Sequence, residues 1–249
     1  MNSFITALQF LTILPLRTKK VPETINFSWV MACFPVAGLV IGLILAGMYI
    51  LLSSFFPELV SSILLVILLT VLTGGLHADG LADTFDGIGS RKDPEKALEI
   101  MRDSRIGTMG TLSIISVFLL KVALLTYIPA PGKLSLLVAM PVLSRWSMLL
   151  PMRFFPYARA EGKAKSFFEG MNSKVLLIAT IVTVLPAIGL LELTGLHLLL
   201  LVTASTMLAS FFFSRRLGGI TGDVLGALNE INEIVILFAF FILSSGETL

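Results

Sequence analysis

The sequence carries little charge and almost no cysteine. Cys33 is the only cysteine, which excludes a disulfide framework and a cysteine-rich zinc site. Charged residues make up 14% of the chain against 56% hydrophobic residues, and the mean hydropathy is +0.95. These proportions are far from those of soluble domains and indicate an integral membrane protein. No shift in composition marks a second domain, so we expect a single domain over residues 1–249.

Seven apolar segments predict an all-α, polytopic bundle of about seven transmembrane helices with short interfacial helices. They lie near residues 29–53, 59–75, 107–128, 135–151, 175–191, 197–213 and 234–243. The last segment is short, and we expect its helix to extend into the polar stretch before it. The opening residues 1–16 are too few to cross a membrane and are interrupted by Pro15, which predicts an interfacial or re-entrant helix.

Basic residues are concentrated in alternate loops. Fifteen of the eighteen fall on one side of the predicted bundle: Arg17, Lys19, Lys20, Arg91, Lys92, Lys96, Arg102, Arg105, Arg153, Arg159, Lys163, Lys165, Lys174, Arg215 and Arg216. The loops on the other side contain only Lys133. The positive-inside rule therefore predicts that the N-terminus lies inside and the C-terminus outside. Three polar segments that carry candidate chemistry all fall on the inner side.

The first of these segments, residues 74–87, holds three carboxylates and a histidine directly after an apolar run. Asp83 and Asp86 follow Asp79 by four and seven residues, so all three share one face if the segment is helical. Carboxylates this close repel one another unless a divalent cation neutralises them, which predicts a magnesium site at the membrane surface. The alternatives are solvated loop residues or helix caps for the aspartates, and a simple hydrogen-bonding role for His77.

The second segment, residues 93–107, begins with Asp93-Pro94, which predicts a helix start. Arg102, Asp103 and Arg105 lie at its end. They either pair with one another or act beside the carboxylate cluster, where the arginines would clamp phosphate oxygens and Asp103 would complete the metal shell.

The third segment, residues 218–230, places three glycines around Thr221 and ahead of Asp223. This pattern predicts a tight loop entering a helix, whose free N–H groups bind anions. Glu230 lies seven residues beyond Asp223 and would share its helix face, where the two carboxylates could meet a cation. The alternative is a flexible turn followed by helix packing through Gly226.

These segments also follow a family pattern. The motifs are Gly74-Gly75-Leu76-His77 with Asp79-Gly80-Leu81-Ala82-Asp83 and Asp86-Gly87, then Asp103-Ser104-Arg105-Ile106-Gly107, then Gly218-Gly219 with Thr221-Gly222-Asp223 and Gly226-Ala227. With them the chain resembles, over nearly its whole length, the cobalamin synthase family of integral membrane adenosylcobinamide-GDP ribazoletransferases. The resemblance implies that adenosylcobinamide-GDP is joined to α-ribazole or its 5′-phosphate with release of GMP, and that Mg²⁺ is the cofactor.

The resemblance and the residue chemistry together define the expected site. Asp79, Asp83, Asp86 and Asp103 are the candidate ligands for one or two Mg²⁺ ions and, with His77, the candidate catalytic residues. The proton acceptor would be His77 or one of the aspartates. The candidate residues for substrate or phosphate binding are Arg102, Ser104, Arg105, Arg159, Thr221, Gly222 and Asp223.

The expected location is the cytoplasmic membrane of a bacterium or archaeon, with the active site facing the cytoplasm. Membrane lipid and the two substrates are the expected partners, nucleic acid is not, and the sequence does not indicate an oligomeric state.

Two other classes of function use similar features: a CDP-alcohol phosphotransferase or prenyltransferase, which also carries aspartate-rich motifs at the membrane surface, and a cation or metabolite transporter. A CDP-alcohol phosphotransferase needs an arginine in its aspartate motif where this chain has Thr84 after Asp83. A cation or metabolite transporter would place acidic groups within its spans, whereas here the acidic residues are expected to gather at one surface, with only Lys121 and Arg145 inside the spans.

Overall fold

The fold is helical throughout the part of the chain that the structure describes. A computed structural model describes residues 3–16 and 25–245, apart from the side chains of Pro131 and Ser245. Within these residues the regular elements are all helices, joined by loops. The helices are α1 Ser3–Leu11, α2 Phe27–Ala32, α3 Phe34–Ser53, α4 Glu58–Leu72, α5 Leu76–Gly89, α6 Pro94–Ile100, α7 Thr108–Tyr127, α8 Ala130–Ser147, α9 Leu149–Phe154, α10 Lys165–Gly170, α11 Ser173–Leu217 and α12 Gly222–Ser245. The predicted all-α class is confirmed.

Five of the helical segments are long and apolar enough to cross a membrane, and α4 with α5 makes a sixth if that bent pair is one span. The 45-residue α11 contains two of the seven predicted segments. Its backbone leaves the helical conformation at Glu192 (φ 52°, ψ −132°). Gly195 then lies against the backbone of Ala187. Eight residues of straight helix would separate these two by about 12 Å, so α11 reverses direction at Glu192.

Helices α8 and α9 form the centre of the bundle, since 89% of the apolar window in residues Gly132–Phe154 is buried. Helix α3 packs against α8 through small residues. A Cβ atom on Gly42 would lie 2.6 Å from the carbonyl oxygen of Val138, so only glycine permits this approach. Such contacts between small residues are a common means of packing membrane helices, where water provides no driving force.

A sharp corner separates α4 from α5. Gly74 and Gly75 have φ values of 59° and 70°, a left-handed conformation that favours glycine, and the two helices differ in direction by 88°. The segment after α1 reaches this corner, where the N–H of Ile13 donates to the carbonyl of Leu72 at 2.8 Å. Helix α5 is thereby turned across the end of the bundle.

The predicted N-terminal helix is present as α1, whose nine residues are too few to cross a membrane. Its predicted first residues, Met1 and Asn2, lie outside the described residues, as do Arg17, Lys19 and Lys20 of the predicted inner side.

Helix α12 begins twelve residues before the predicted apolar segment, as expected from its polar start, and it buries Glu230 and Glu233. Lys121 of α7 pairs with Glu230 at 2.6 Å and with Glu233, while Arg145 of α8 also pairs with Glu233. The expectation that acidic residues avoid the spans is therefore wrong. The alternative of a cation site formed by Asp223 and Glu230 is wrong as well, because Glu230 is paired with Lys121. These carboxylates persist in an apolar bundle because each has a buried cationic partner.

Candidate active site

The three predicted polar segments meet at one end of the bundle. A cavity of about 880 Å³ there is lined by Asp79 and Asp83 of α5 and by Arg102, Asp103 and Ser104 of the loop after α6. We call this cavity the main cleft. Residues from two distant segments therefore face one polar space.

A second cavity of about 700 Å³ adjoins the main cleft at Arg102, which lines both. We call it the side cleft. Arg159 and Lys163 from the loop before α10 line it, together with Gly222 and Asp223 at the start of α12. Basic groups thus border the acidic residues of the main cleft.

Gly80 brings the acidic residues of α5 close to Asp223. A Cβ atom on Gly80 would lie 2.6 Å from the carbonyl oxygen of Asp223 and 3.0 Å from its Cα, so α5 and α12 touch at this point. The charges of Asp79 and Asp223 consequently act on Asp83. Asp79 is exposed and Asp83 half-buried, and both face the main cleft from successive turns of α5.

Asp86 has a different environment from the other two aspartates of α5. Its Oδ2 accepts the N–H of Gly107 at 2.6 Å, and its Oδ1 accepts the N–H of Gly110 at 2.8 Å. Seven residues correspond to about 10 Å along a helix, which carries Asp86 away from the main cleft to the start of α7. Asp86 therefore holds the N-terminus of α7, and metal binding by this residue stays a prediction.

The loop after α6 divides its charged residues between the cleft and solvent. The predicted start of α6 is confirmed, since the side chain of Asp93 accepts the N–H of Lys96 at 2.9 Å. Arg105 is 87% exposed and does not line the main cleft. It forms an ion pair with Asp103 at 2.7 Å, and this guanidinium lowers the pKa of the Asp103 carboxyl to about 2. The structure thus shows Arg105 paired with its neighbour, while Arg102 is the arginine that faces both clefts.

A short backbone bridge positions Arg159. The N–H of Ala158 donates to the carbonyl of Ile220 at 3.0 Å, and the N–H of Ile220 donates to the carbonyl of Pro156 at 2.8 Å. These bonds fasten the loop to the turn before α12. Arg159 then reaches Asp223 and forms an ion pair at 2.8 Å.

The predicted tight loop into a helix is confirmed at residues 218–222. Gly218 has a φ of 76° at the end of α11, and α12 begins at Gly222. Thr221 is buried, and its Oγ1 accepts the N–H of Val224 at 3.2 Å. Its hydroxyl thus caps α12, while Gly222 lines the side cleft.

His77 lies beneath the clefts rather than in either of them. It is 2% exposed, and neither of its ring nitrogens has a hydrogen-bond partner among the described residues. A Cβ atom on Gly226 would lie 3.2 Å from the His77 Cα, so the predicted helix packing through Gly226 is present and holds this residue against α12. A catalytic role for His77 stays a prediction.

The carboxylates of Asp79 and Asp83 suit a metal ion that also binds to the substrate. Among the described residues, no group of three or more His, Cys, Asp or Glu side chains is placed to hold a metal ion. Asp79 and Asp83 nevertheless offer accessible hard oxygen donors one helical turn apart. Mg²⁺ is commonly bound in this way, by one or two carboxylates together with substrate phosphates. The donor set therefore fits Mg²⁺ in the presence of a diphosphate substrate.

Sequence reasoning missed two features of the site. Tyr157 and Lys163 line the side cleft, but only the bridge between their loop and the turn before α12 places them there. The buried ion pairs under the site were also missed. Glu233 follows Glu230 by three residues on a polar stretch of α12, and that spacing was the available signal.

Comparisons with known proteins agree with the motifs. The family described as cobalamin-5-phosphate synthase matches residues 3–241. Three relatives named adenosylcobinamide-GDP ribazoletransferase come from Acetivibrio thermocellus, Syntrophobacter fumaroxidans and Desulforamulus reducens. They are 42%, 39% and 37% identical over 94%, 96% and 95% of this chain, and over 94%, 97% and 95% of their own lengths. No solved structure gives a significant match. The chain belongs to the cobalamin-5-phosphate synthase family.

Proposed function

We propose that the protein joins adenosylcobinamide-GDP to α-ribazole or its 5′-phosphate, releasing GMP in cobalamin biosynthesis. The observation that carries the proposal is the meeting of Asp79 and Asp83 with Arg102 and the Arg159–Asp223 pair in two adjoining clefts. Family membership and the names of the relatives support the same reaction.

The reaction replaces the phosphoanhydride bond of the donor diphosphate by a phosphodiester bond to the acceptor. A ribose hydroxyl oxygen of the acceptor attacks the phosphorus attached to cobinamide, and the bond from that phosphorus to the departing GMP breaks. The hydroxyl proton must pass to a base, and GMP leaves as an anion. Such a transfer depends mainly on positioning and charge neutralisation, which the facing carboxylates and arginines supply.

Asp79 and Asp83 would hold Mg²⁺ against the diphosphate of the donor. When bound, the ion would neutralise charge on the diphosphate oxygens. The remaining chemistry belongs to the chain. Arg102 lines both clefts and would bind phosphate oxygens, while Arg159, held by Asp223, would neutralise the departing GMP.

The proton acceptor of this proposal is a carboxylate rather than His77. Asp79 and Asp223 are accessible from the clefts, whereas His77 lies beneath them. A general base must reach the proton that it removes, and burial keeps His77 from a hydroxyl held in the main cleft.

We further propose that the clefts face the cytoplasm across the cytoplasmic membrane. The loops that form them carry the basic residues of the predicted inner side, and the positive-inside rule supports this orientation. Both soluble substrates would then reach the site without crossing the membrane.

The experiment is a turnover assay with purified protein in detergent. GMP release should require adenosylcobinamide-GDP, α-ribazole and Mg²⁺ together, and the corrinoid product should gain the mass of the acceptor. A transporter or a CDP-alcohol phosphotransferase would release no GMP under these conditions. Absence of GMP from folded protein with all three components would refute the proposal.

A pair of variants connects the activity to the site. Asp83→Asn removes a negative oxygen donor from the main cleft and should lower the rate at least about a hundredfold. Asp93→Asn makes the same chemical change at the exposed start of α6, where asparagine caps equally well, and should leave the rate unchanged. Equal effects of the two changes would separate the activity from this cleft.

A further inference from the structure

A small, mainly apolar cavity of about 220 Å³ lies beneath the two clefts, between α1, α3, α5, α9, α10 and α12. Three aromatic side chains form one wall. The ring centroid of Phe167 lies 4.7 Å from that of Phe10 and 5.8 Å from that of Phe34. Met148, which lies between α8 and α9, and Met152 of α9 also line the cavity. We call this space the inner pocket.

The inner pocket opens toward the groups that would carry the reaction. Asp79 lines both the inner pocket and the main cleft, and Asp223 lines both the inner pocket and the side cleft. A ligand whose apolar part enters the inner pocket would therefore keep its polar part beside these two carboxylates.

His77 is the polar side chain that lines the inner pocket alone, because the pocket's other charged residues, Asp79, Lys163 and Asp223, are shared with the clefts. It lines the pocket, is 2% exposed, and leaves both ring nitrogens without a hydrogen-bond partner among the described residues. Buried polar groups are almost always hydrogen-bonded, and an unpartnered one calls for a ligand or an ordered water. An imidazole ring can donate from one nitrogen and accept at the other.

Size and polarity restrict the occupant to one of the four ring systems of the substrates, which are the corrin, the adenine and the guanine of adenosylcobinamide-GDP and the dimethylbenzimidazole of ribazole. An apolar cavity of about 150 Å³ can hold a benzene ring, so the 220 Å³ of the inner pocket suits a fused bicycle and excludes a corrin. Guanine and adenine carry several donors and acceptors that the aromatic and thioether side chains away from the clefts would leave unsatisfied. The dimethylbenzimidazole of ribazole is an apolar bicycle with one free ring nitrogen, which matches a single unpartnered histidine.

Resting on the proposed function, we infer that the inner pocket binds the aromatic base of the ribazole acceptor, with a ring N–H of His77 donating to the free nitrogen of that base. The ribose then emerges between Asp79 and Asp223, where its hydroxyl meets the donor phosphate. Aromatic and thioether side chains hold the base by contact. His77 is thus a binding residue that selects the acceptor.

The test enlarges the inner pocket and compares acceptors of different size. Met148→Ala should raise KM for α-ribazole at least about tenfold, because it removes three heavy atoms of the side chain and one missing methylene in an apolar pocket is already worth about tenfold. The same variant should use the riboside of a larger base, naphthimidazole, better than the wild type does. KM for adenosylcobinamide-GDP should not change.

Met140→Ala is the matched control. Met140 of α8 is 1% exposed and Met148, just after α8, is 3% exposed, but Met140 does not line the inner pocket. It should lose comparable packing and leave both KM values unchanged. A rise in KM for adenosylcobinamide-GDP in Met148→Ala, with KM for α-ribazole unchanged, would overturn the inference in favour of the donor.

Calorimetric binding of α-ribazole to the protein in detergent separates this inference from the proposed function. His77→Leu should weaken binding about tenfold without lowering the thermal midpoint, since a buried hydrogen bond is lost only in the complex. One outcome is that the wild type binds α-ribazole and His77→Leu weakens this binding, but no GMP is released. That outcome would refute the proposed function and leave the inner pocket assigned. Normal GMP release with unchanged ribazole binding in both His77→Leu and Met148→Ala would refute the inner pocket.

Discussion

Replacing Gly80 by alanine tests how the fold positions the active site. The new Cβ would lie 2.6 Å from the carbonyl oxygen of Asp223, whereas ordinary contacts begin at 3.4 Å. Helices α5 and α12 must therefore separate by about 0.8 Å, which moves Asp79 and Asp83 relative to Asp223. A displacement near 1 Å can cost about a hundredfold in rate when catalysis depends on positioning. We expect kcat/KM to fall by about that factor.

Two other glycines calibrate the effect. A Cβ on Gly47 of α3 would meet nothing within 4 Å, so Gly47→Ala should keep full activity and gain about 0.5–1 kcal/mol of helix stability. A Cβ on Gly226 would lie 3.2 Å from His77, an intermediate distance. The losses in kcat/KM should therefore rank as Gly47 least, Gly226 intermediate and Gly80 greatest.

GMP release measures kcat/KM, and a thermal melt in detergent shows whether each variant is folded. Full activity in a folded Gly80→Ala protein would show that the contact between α5 and α12 does not set the geometry of the site. An equal loss in Gly47→Ala would attribute the effect to alanine in any helix. If Gly80→Ala fails to fold, the smaller change at Gly226 decides the question by the same assay.

Three further predictions concern the metal, the buried ion pairs and the orientation. Asp79→Asn should lower kcat at least about a hundredfold and raise the Mg²⁺ concentration for half-maximal activity; a normal Mg²⁺ titration would count against this ligand. Glu233→Gln leaves two buried cations poorly paired and should destabilise the protein by about 3–5 kcal/mol, against less than about 1 kcal/mol for Glu99→Gln in an exposed pair, as compared by thermal melts. In intact cells, an impermeant thiol reagent should label Ser54→Cys from outside and spare Asp93→Cys, in a Cys33→Ser background; labelling of both would refute the proposed orientation.

Much of the architecture was predictable because lipid imposes simple rules. Each predicted apolar segment is largely helical, although 29–53 and 135–151 each cover two successive helices, since a backbone in lipid must satisfy its own hydrogen bonds. The three polar segments meet because each follows an even number of spans and so returns to the same end of the bundle. The predicted helix starts at Asp93 and near Gly222 are also confirmed, because capping depends on neighbouring residues alone.

The separation of Asp86 from Asp79 and Asp83 could not be predicted. Spacings of four and seven residues place all three on one face of an isolated helix. Only the contact with α7 shows that the Asp86 oxygens accept the N–H groups of Gly107 and Gly110. Arg105 presents the same difficulty, because its motif position suits phosphate binding while its side chain points to solvent beside Asp103.

The buried ion pairs fix the position of α12 along α7 and α8, which apolar contacts alone would leave undetermined. Helices in lipid are apolar on most faces, so hydrophobicity alone does not fix how far one slides along another. Glu233 is shared by Lys121 of α7 and Arg145 of α8, which fixes the depth and rotation of α12. Asp223 lies ten residues earlier on the same helix, about 15 Å away, and a slip of one turn would move it about 5.4 Å from Gly80.

The ion pairs therefore act on the active site through helix α12, and Glu233→Gln should lower kcat/KM as well as stability. A variant that melts earlier but retains full kcat/KM below its melting point would show that packing at Gly80 and Gly226 is sufficient to hold Asp223 in place.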